Sequence, residues 1–136
     1  MMPHTQSLLQ GIDTNNEIDK ASSIQAKAAA VGFDWPCTND VIDKLYEEID
    51  ELKQAITNKD SDNIEEEVGD LFYTLINLAR HLHVDPEKSL QLSSEKFMRR
   101  FCCLEQMAGQ EDIQLATSSL DQLETLWQRA KWKESE

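Results

Sequence analysis

Five stretches of this chain repeat apolar residues at helical spacing, and none alternates as a strand would. From Glu17 to Val31 the pattern is helical, and Gly32 is placed to end it. The following linker, Phe33-Asp34-Trp35-Pro36-Cys37-Thr38, carries two aromatic residues and is expected to pack. A second helix should start near Asn39 or Asp40, either of which can cap it, with Val41, Ile42, Leu45, Ile49, Leu52 and Ile56 as its buried stripe. Asn58-Lys59-Asp60-Ser61 reads as a break, and Asp62 with Glu65 has capping-box spacing at the head of a third helix. That helix is apolar around much of its circumference, through Ile64, Val68, Leu71, Phe72, Leu75, Ile76, Leu78, Ala79 and Leu82. Asp85-Pro86 starts a fourth helix that should run to about Met107 and stop at Gly109. Ser118 or Ser119 caps a fifth, carrying Leu120, Leu123, Leu126, Trp127 and Ala130.

The pattern predicts an all-α protein, a helical bundle of about five helices. One short chain can hardly cover the third helix, so dimerisation (a homodimer or a dimer of dimers) is expected to complete the bundle. Residues 1–16 lack periodicity and read as a flexible N-terminal arm, leaving residues 17–136 as a single domain. The length of 136 residues suits one core, and four glycines and three prolines are few enough for long helices.

Charge changes the picture more. The net charge is −13, from 26 acidic and 13 basic residues, so nucleic acids and anionic membranes are not expected partners. No apolar run approaches the ~20 residues that span a bilayer, and the start MMPHTQSLLQGIDTNN lacks the pattern of a secretory signal. Cys37, Cys102 and Cys103 make an odd count that suits reduced thiols rather than a disulfide framework or a zinc site. The expected location is cytoplasmic.

The placement of the carboxylates carries the candidate chemistry. Glu47-Glu48-Ile49-Asp50-Glu51 and Glu67-Val68-Gly69-Asp70 lie on successive helices, and residues three apart share a side, pairing Glu48 with Glu51 and Glu67 with Asp70. At ~100° per residue, Glu48 and Glu67 fall at the borders of their apolar stripes, where two packed helices meet. Four carboxylates at such a seam must either bind protons or gather cations. Oxygen-only ligands favour a hard cation, Mg²⁺ or Mn²⁺. Two solvated helix faces are the alternative reading of the same spacing.

Other metal and phosphate motifs fail: there is no Glu-x-x-His, no Walker loop, no Gly-x-Ser-x-Gly, and Asp60 to Glu65 lacks the EF-hand glycine. His81 and His83 read as surface histidines. Lys96, Arg99 and Arg100 cluster on the fourth helix, and Lys96 and Arg100, one turn apart, can grip phosphate or else form salt bridges.

In this order and at these distances, EEIDE, EEEVGD and EKFMRRF, supported by VGFDW, NLARHL and Trp127, resemble the MazG family of nucleotide pyrophosphohydrolases. That family is part of the all-α NTP pyrophosphatase group, with its EExxE and ExxD pattern. The resemblance spans roughly residues 17–134 and is greatest to the catalytic C-terminal half of two-domain MazG proteins. It implies hydrolysis of a nucleoside triphosphate to the monophosphate and pyrophosphate, with nucleotide-pool house-cleaning as one expected purpose, and Mg²⁺ held by Glu48, Glu51, Glu67 and Asp70. It further implies that Lys96 and Arg100 touch the triphosphate and that Trp127 and Lys131 contribute to nucleotide binding. Lys44 and Glu47 would sit beside the site, Lys44 among the substrate-binding groups. For the catalytic base that takes a proton from water, Glu47 and Glu51 both qualify. The alternative from another class is a non-catalytic helical interaction module that keeps the fold, and the presence of all four expected ligands favours the enzyme.

Overall fold

The structure, a computed structural model, describes residues 7–12 and 16–135. The expected loose arm therefore falls largely on residues 1–6 and 13–15, outside the described residues. The described residues contain five α-helices and no strand: α1 (Glu17–Ala30), α2 (Thr38–Thr57), α3 (Ser61–His81), α4 (Pro86–Gln110) and α5 (Leu120–Glu134), with a 3₁₀ turn at Leu115–Thr117. The all-α architecture expected from periodicity is observed.

Local chemistry sets the helix starts. Asn16 accepts a hydrogen bond from the Asp19 amide at 2.8 Å to cap α1. Asp85 accepts from the Glu87 amide at 3.0 Å, with Pro86 as the first helical residue of α4. At α5, Ser119 and Gln122 form a reciprocal capping box, at 3.2 and 3.0 Å. Two starts differ from the sequence expectation. The α3 cap is Asp60, which accepts from the Asn63 amide at 3.3 Å, so Asp62 lies within the first turn. Helix α2 begins at Thr38, behind an extended Cys37 that makes no side-chain cap, and Asp40 accepts from the Cys37 thiol at 3.2 Å.

Four helices end alike. The amides of Phe33, Asp60, Val84 and Ile113 each reach back five residues to an alanine carbonyl, at 3.0, 3.3, 2.9 and 2.8 Å. This Schellman bond requires a left-handed residue just before the donor. Gly32 supplies it after α1 (φ 89°), but Lys59, His83 and Asp112 supply it elsewhere, at φ 53°, 57° and 55°. Gly109, expected as a stop, lies inside α4 because the turn closes at Asp112 instead.

The chain forms two compact units, Met1–Glu87 and Lys88–Glu136. In the first, the short break after α2 folds α2 and α3 into a hairpin, and α1 packs on α3. Its interior holds the small or branched residues Ala21, Val41, Ala55 and Ile76, but also Gln25, Glu48 and Thr74. The second unit centres on Leu104, Ala108, Leu126 and Ala130, flanked by Cys103, Met107, Ile113, Leu115 and Trp127. Cys37, Cys102 and Cys103 are free thiols. No helix among the described residues is long and apolar enough to cross a membrane.

Candidate active site

The α2–α3 hairpin sets acidic residues of both helices face to face. Oxygens of Glu48, Glu67 and Asp70 lie within 4.8 Å of one another, a group able to hold a metal ion. Glu51, the fourth residue singled out in the sequence, lies close enough to Glu67 to raise its pKa. All four candidate ligands therefore meet at one seam.

The electrostatics of that seam are unbalanced. Glu48 is 4% exposed. One of its oxygens takes the Lys44 ammonium at 3.1 Å, while Oε2 is buried with no hydrogen-bond donor among the described residues. Glu67 Oε2 is orphaned in the same way. A carboxylate oxygen withdrawn from water ordinarily finds a donor, and carboxylates crowded at one seam are unfavourable unless a proton or cation joins them. That crowding pushes the Glu67 carboxyl from 4.5 up to about 7, first by desolvation and then by hydrogen bonding and repulsion from Glu51 and Glu48. Lys44 responds in the opposite sense: its hydrogen bond to Glu48 raises its pKa and keeps it charged. The donor set, all carboxylate oxygen with two buried atoms unsatisfied, fits a hard divalent cation.

Glu47 stands apart from the cluster. Its side chain is 67% exposed and reaches Lys44 at 3.5 Å. Thus Glu51 lies among the carboxylates, whereas Glu47 is drawn toward solvent.

The remaining candidates belong to the second unit, where α4 and α5 pack side by side. Trp127 meets Phe97 with ring centroids 5.2 Å apart, and Phe97 in turn stacks on Phe101 at 5.9 Å. Arg100 binds Glu134 at 2.6 Å and Arg99 binds the other oxygen of that carboxylate at 3.0 Å. The pair of arginines pulls Glu134 below its ordinary titration range. Lys96 and Lys131 form no ion pair among the described residues. Of the basic cluster, Arg99 and Arg100 are salt-bridged to a neighbouring helix, and Lys96 is not.

The sequence reading missed a second polar centre in the first unit. Asp34, in the α1–α2 linker, takes Arg80 through two hydrogen bonds of 2.6 and 3.0 Å and the His81 Nε2 at 2.9 Å. The Arg80 contact, helped by His81 and by the Trp35 amide, holds Asp34 well below the usual carboxylate range. His81 is therefore not a surface histidine: its side chain is only 11% exposed. VGFDW and NLARHL contained the signal, an acid and a base in two separate aromatic or apolar segments, but nothing in their spacing shows that they meet.

The family model of the MazG nucleotide pyrophosphohydrolase domain matches residues 38–102. That stretch contains the carboxylate cluster, Lys44, Lys96 and Arg100. The nucleoside triphosphate pyrophosphohydrolase of Escherichia coli (strain K12) is 41% identical over 119 residues, covering 85% of this chain and 44% of that protein. The nucleoside triphosphate pyrophosphohydrolase/pyrophosphatase MazG of Thermotoga maritima is 39% identical over 114 residues, covering 84% of this chain and 44% of the relative. A shorter match, 39% over 69 residues, reaches the uncharacterized protein YabN of Bacillus subtilis. The chain spans less than half the length of the curated relatives it matches. With the acidic hairpin, the family match and these identities taken together, the chain belongs to the MazG family of nucleotide pyrophosphohydrolase domains.

Proposed function

We propose that this chain hydrolyses nucleoside triphosphates to the monophosphate and pyrophosphate, with Mg²⁺ (or Mn²⁺) held by Glu48, Glu51, Glu67 and Asp70. The observation that carries the reading is that Glu48 and Glu67, whose carboxylates lie within 4.8 Å of each other and of Asp70, each carry a buried oxygen with no donor among the described residues. When bound, the cation neutralises phosphate oxygens and lowers the pKa of a water molecule.

The side chains divide the remaining work. Lys44 pairs with Glu48 at 3.1 Å and fixes its orientation. Glu67 must release its proton for the four carboxylates to act as ligands, so ligation and proton release are linked there. Glu51, within the cluster, is better placed than solvent-facing Glu47 to take a proton from water. Arg100 offers a fork matched to a phosphate, and the substrate replaces Glu134 as its partner. Lys96 adds a second cation one turn away, while Trp127 and Lys131 on α5 contribute to holding the nucleotide.

A homodimer or dimer of dimers covers α3, where Phe72 and Leu75 are 65% and 51% exposed. Sedimentation as a monomer at micromolar concentration contradicts that assembly. The acidic surface disfavours nucleic-acid and membrane partners and suits a cytoplasmic enzyme. The decisive experiment is pyrophosphate release from a mixed panel of ribo- and deoxyribonucleoside triphosphates, with Mg²⁺ and with EDTA. Release only with the metal supports the reading, and no release from any nucleotide removes it.

A further inference from the structure

Beside α1, the first unit contains a pocket of about 460 Å³ whose walls include Gln25, Phe33, Trp35, Tyr73, Asn77 and Arg80. Its charge is balanced, because Arg80 is bound to Asp34. It offers aromatic surface, with the Phe33 side chain 83% exposed at the α1 end. A neutral pocket with rings at its rim suits a flat, uncharged heterocycle better than a phosphate or a metal.

Two amides in the wall have fixed orientations. Gln25 is 6% exposed, and its Nε2 donates to the Tyr73 carbonyl at 2.9 Å. A carbonyl only accepts, so the amide cannot turn over without losing that bond. Gln25 Oε1 is left buried with no donor among the described residues. Asn77 is held in the reverse sense: its Oδ1 accepts from Arg80 at 2.9 Å, leaving its Nδ2 to donate. Gln25 and Asn77 both line the pocket, the first with a buried acceptor and the second with a donor.

We infer that this pocket is the nucleobase subsite and that it selects bases whose pairing edge carries an amino group beside an unprotonated ring nitrogen. Cytosine and adenine have that edge: the amino group donates to Gln25 Oε1 and the ring nitrogen accepts from Asn77 Nδ2. Uracil, thymine and hypoxanthine present a carbonyl and a ring N–H, which reverses both contacts. The inference rests on the proposed hydrolysis for the location of the phosphates. Asn77 follows Asp70 by seven residues on nearly the same side of α3, about 10.5 Å along the axis, a span that a nucleoside triphosphate bridges. The aromatic surface of the pocket itself is that of Phe33, Trp35 and Tyr73.

The test compares kcat/KM for CTP, ATP, UTP and ITP with Mg²⁺, alongside calorimetric binding of cytidine, adenosine, uridine and inosine without metal. CTP and ATP should exceed UTP and ITP by about tenfold or more, mainly through KM, because the wrong edge leaves buried polar groups unpaired. Gln25→Leu should bring CTP and ATP down toward UTP and ITP, so that the tenfold gap between the two pairs of substrates closes. Asn77→Asp, which turns the donor into an acceptor, should shift preference toward UTP and ITP. Equal rates on all four substrates in wild type and Gln25→Leu overturn the subsite while leaving pyrophosphohydrolysis intact. If no triphosphate is hydrolysed, the nucleosides decide alone: cytidine and adenosine binding that Gln25→Leu abolishes supports the pocket, and equal or absent binding removes it.

Discussion

In the first unit polar groups lie inside: the carboxylate of Glu48 and the amide of Gln25 are buried, as are Ala21, Val41 and Ile76, and both leave polar atoms unsatisfied. In the second unit the core is wholly apolar, and the charges of Arg99, Arg100 and Glu134 pair with one another at its edge. Exposed pairs of the second kind contribute little to stability and are readily exchanged for another partner. Unsatisfied buried groups of the first kind cost free energy and persist where a ligand completes them. Under the proposed function, the first unit supplies the metal ligands and the base pocket, and the second an exchangeable grip on phosphate.

The sharpest way to break this contrast is to remove charge from the acidic seam. Glu51→Gln or Asp70→Asn should lower Mg²⁺-dependent hydrolysis at least about a hundredfold, since the metal's transition-state stabilisation amounts to several kcal/mol. The melting temperature of the metal-free variants should not fall, because a mutually repelling cluster has been relieved. A variant that keeps full turnover, or that unfolds, would show that these carboxylates serve packing. A smaller effect is expected in the second unit. Lys96→Ala and Arg100→Ala should each lower kcat/KM by about ten- to a hundredfold while Mg²⁺ affinity is retained. Arg99→Ala is the control, and if it alone is crippled the phosphate grip has been placed on the wrong residues.

Between the two kinds of charge stands Asp34. Its replacement by Asn weakens both contacts to Arg80 in a partly buried setting, which should cost about 1–3 kcal/mol in urea unfolding. A change within a few tenths makes the tether dispensable. The subtlest effect is the pH dependence of the metal-free protein. The folded-state pKa of Glu67 is raised from 4.5 to about 7, so the folded state binds more protons than the unfolded state between those values. Stability should therefore decline as pH rises through that window, and Glu67→Gln should flatten the profile. A wild-type profile that rises there, or is unaffected by Glu67→Gln, contradicts the shift.

The helices were legible because periodicity is local: the apolar residues of α2 and α3 recur every three or four positions, and Ser119 and Asp85 announce their own helices. The carboxylate seam was legible for the same reason, since Glu48 with Glu51 and Glu67 with Asp70 share a helix side before any tertiary contact is known. Asp34 with Arg80 and His81, 46 and 47 residues away, was not legible, because only the packing of linker against α3 brings them together. The α2 and α3 starts were misplaced by one or two residues for a related reason. Asp60 and Asp62 are equally good caps on paper, and it is the left-handed Lys59 that gives the first of them its extended backbone.

That Lys59 turn, with its counterparts at His83 and Asp112, gives the protein an unspent margin of heat tolerance. A side chain in the left-handed region costs ~1–2 kcal/mol, and glycine removes this cost while returning ~0.4–1 kcal/mol of freedom to the unfolded chain. Each of Lys59→Gly, His83→Gly and Asp112→Gly should therefore gain roughly half to 1 kcal/mol, read as a rise of a few degrees in the melting temperature. All three lie at helix ends and outside the carboxylate seam, so thermal endurance and turnover can be tuned separately.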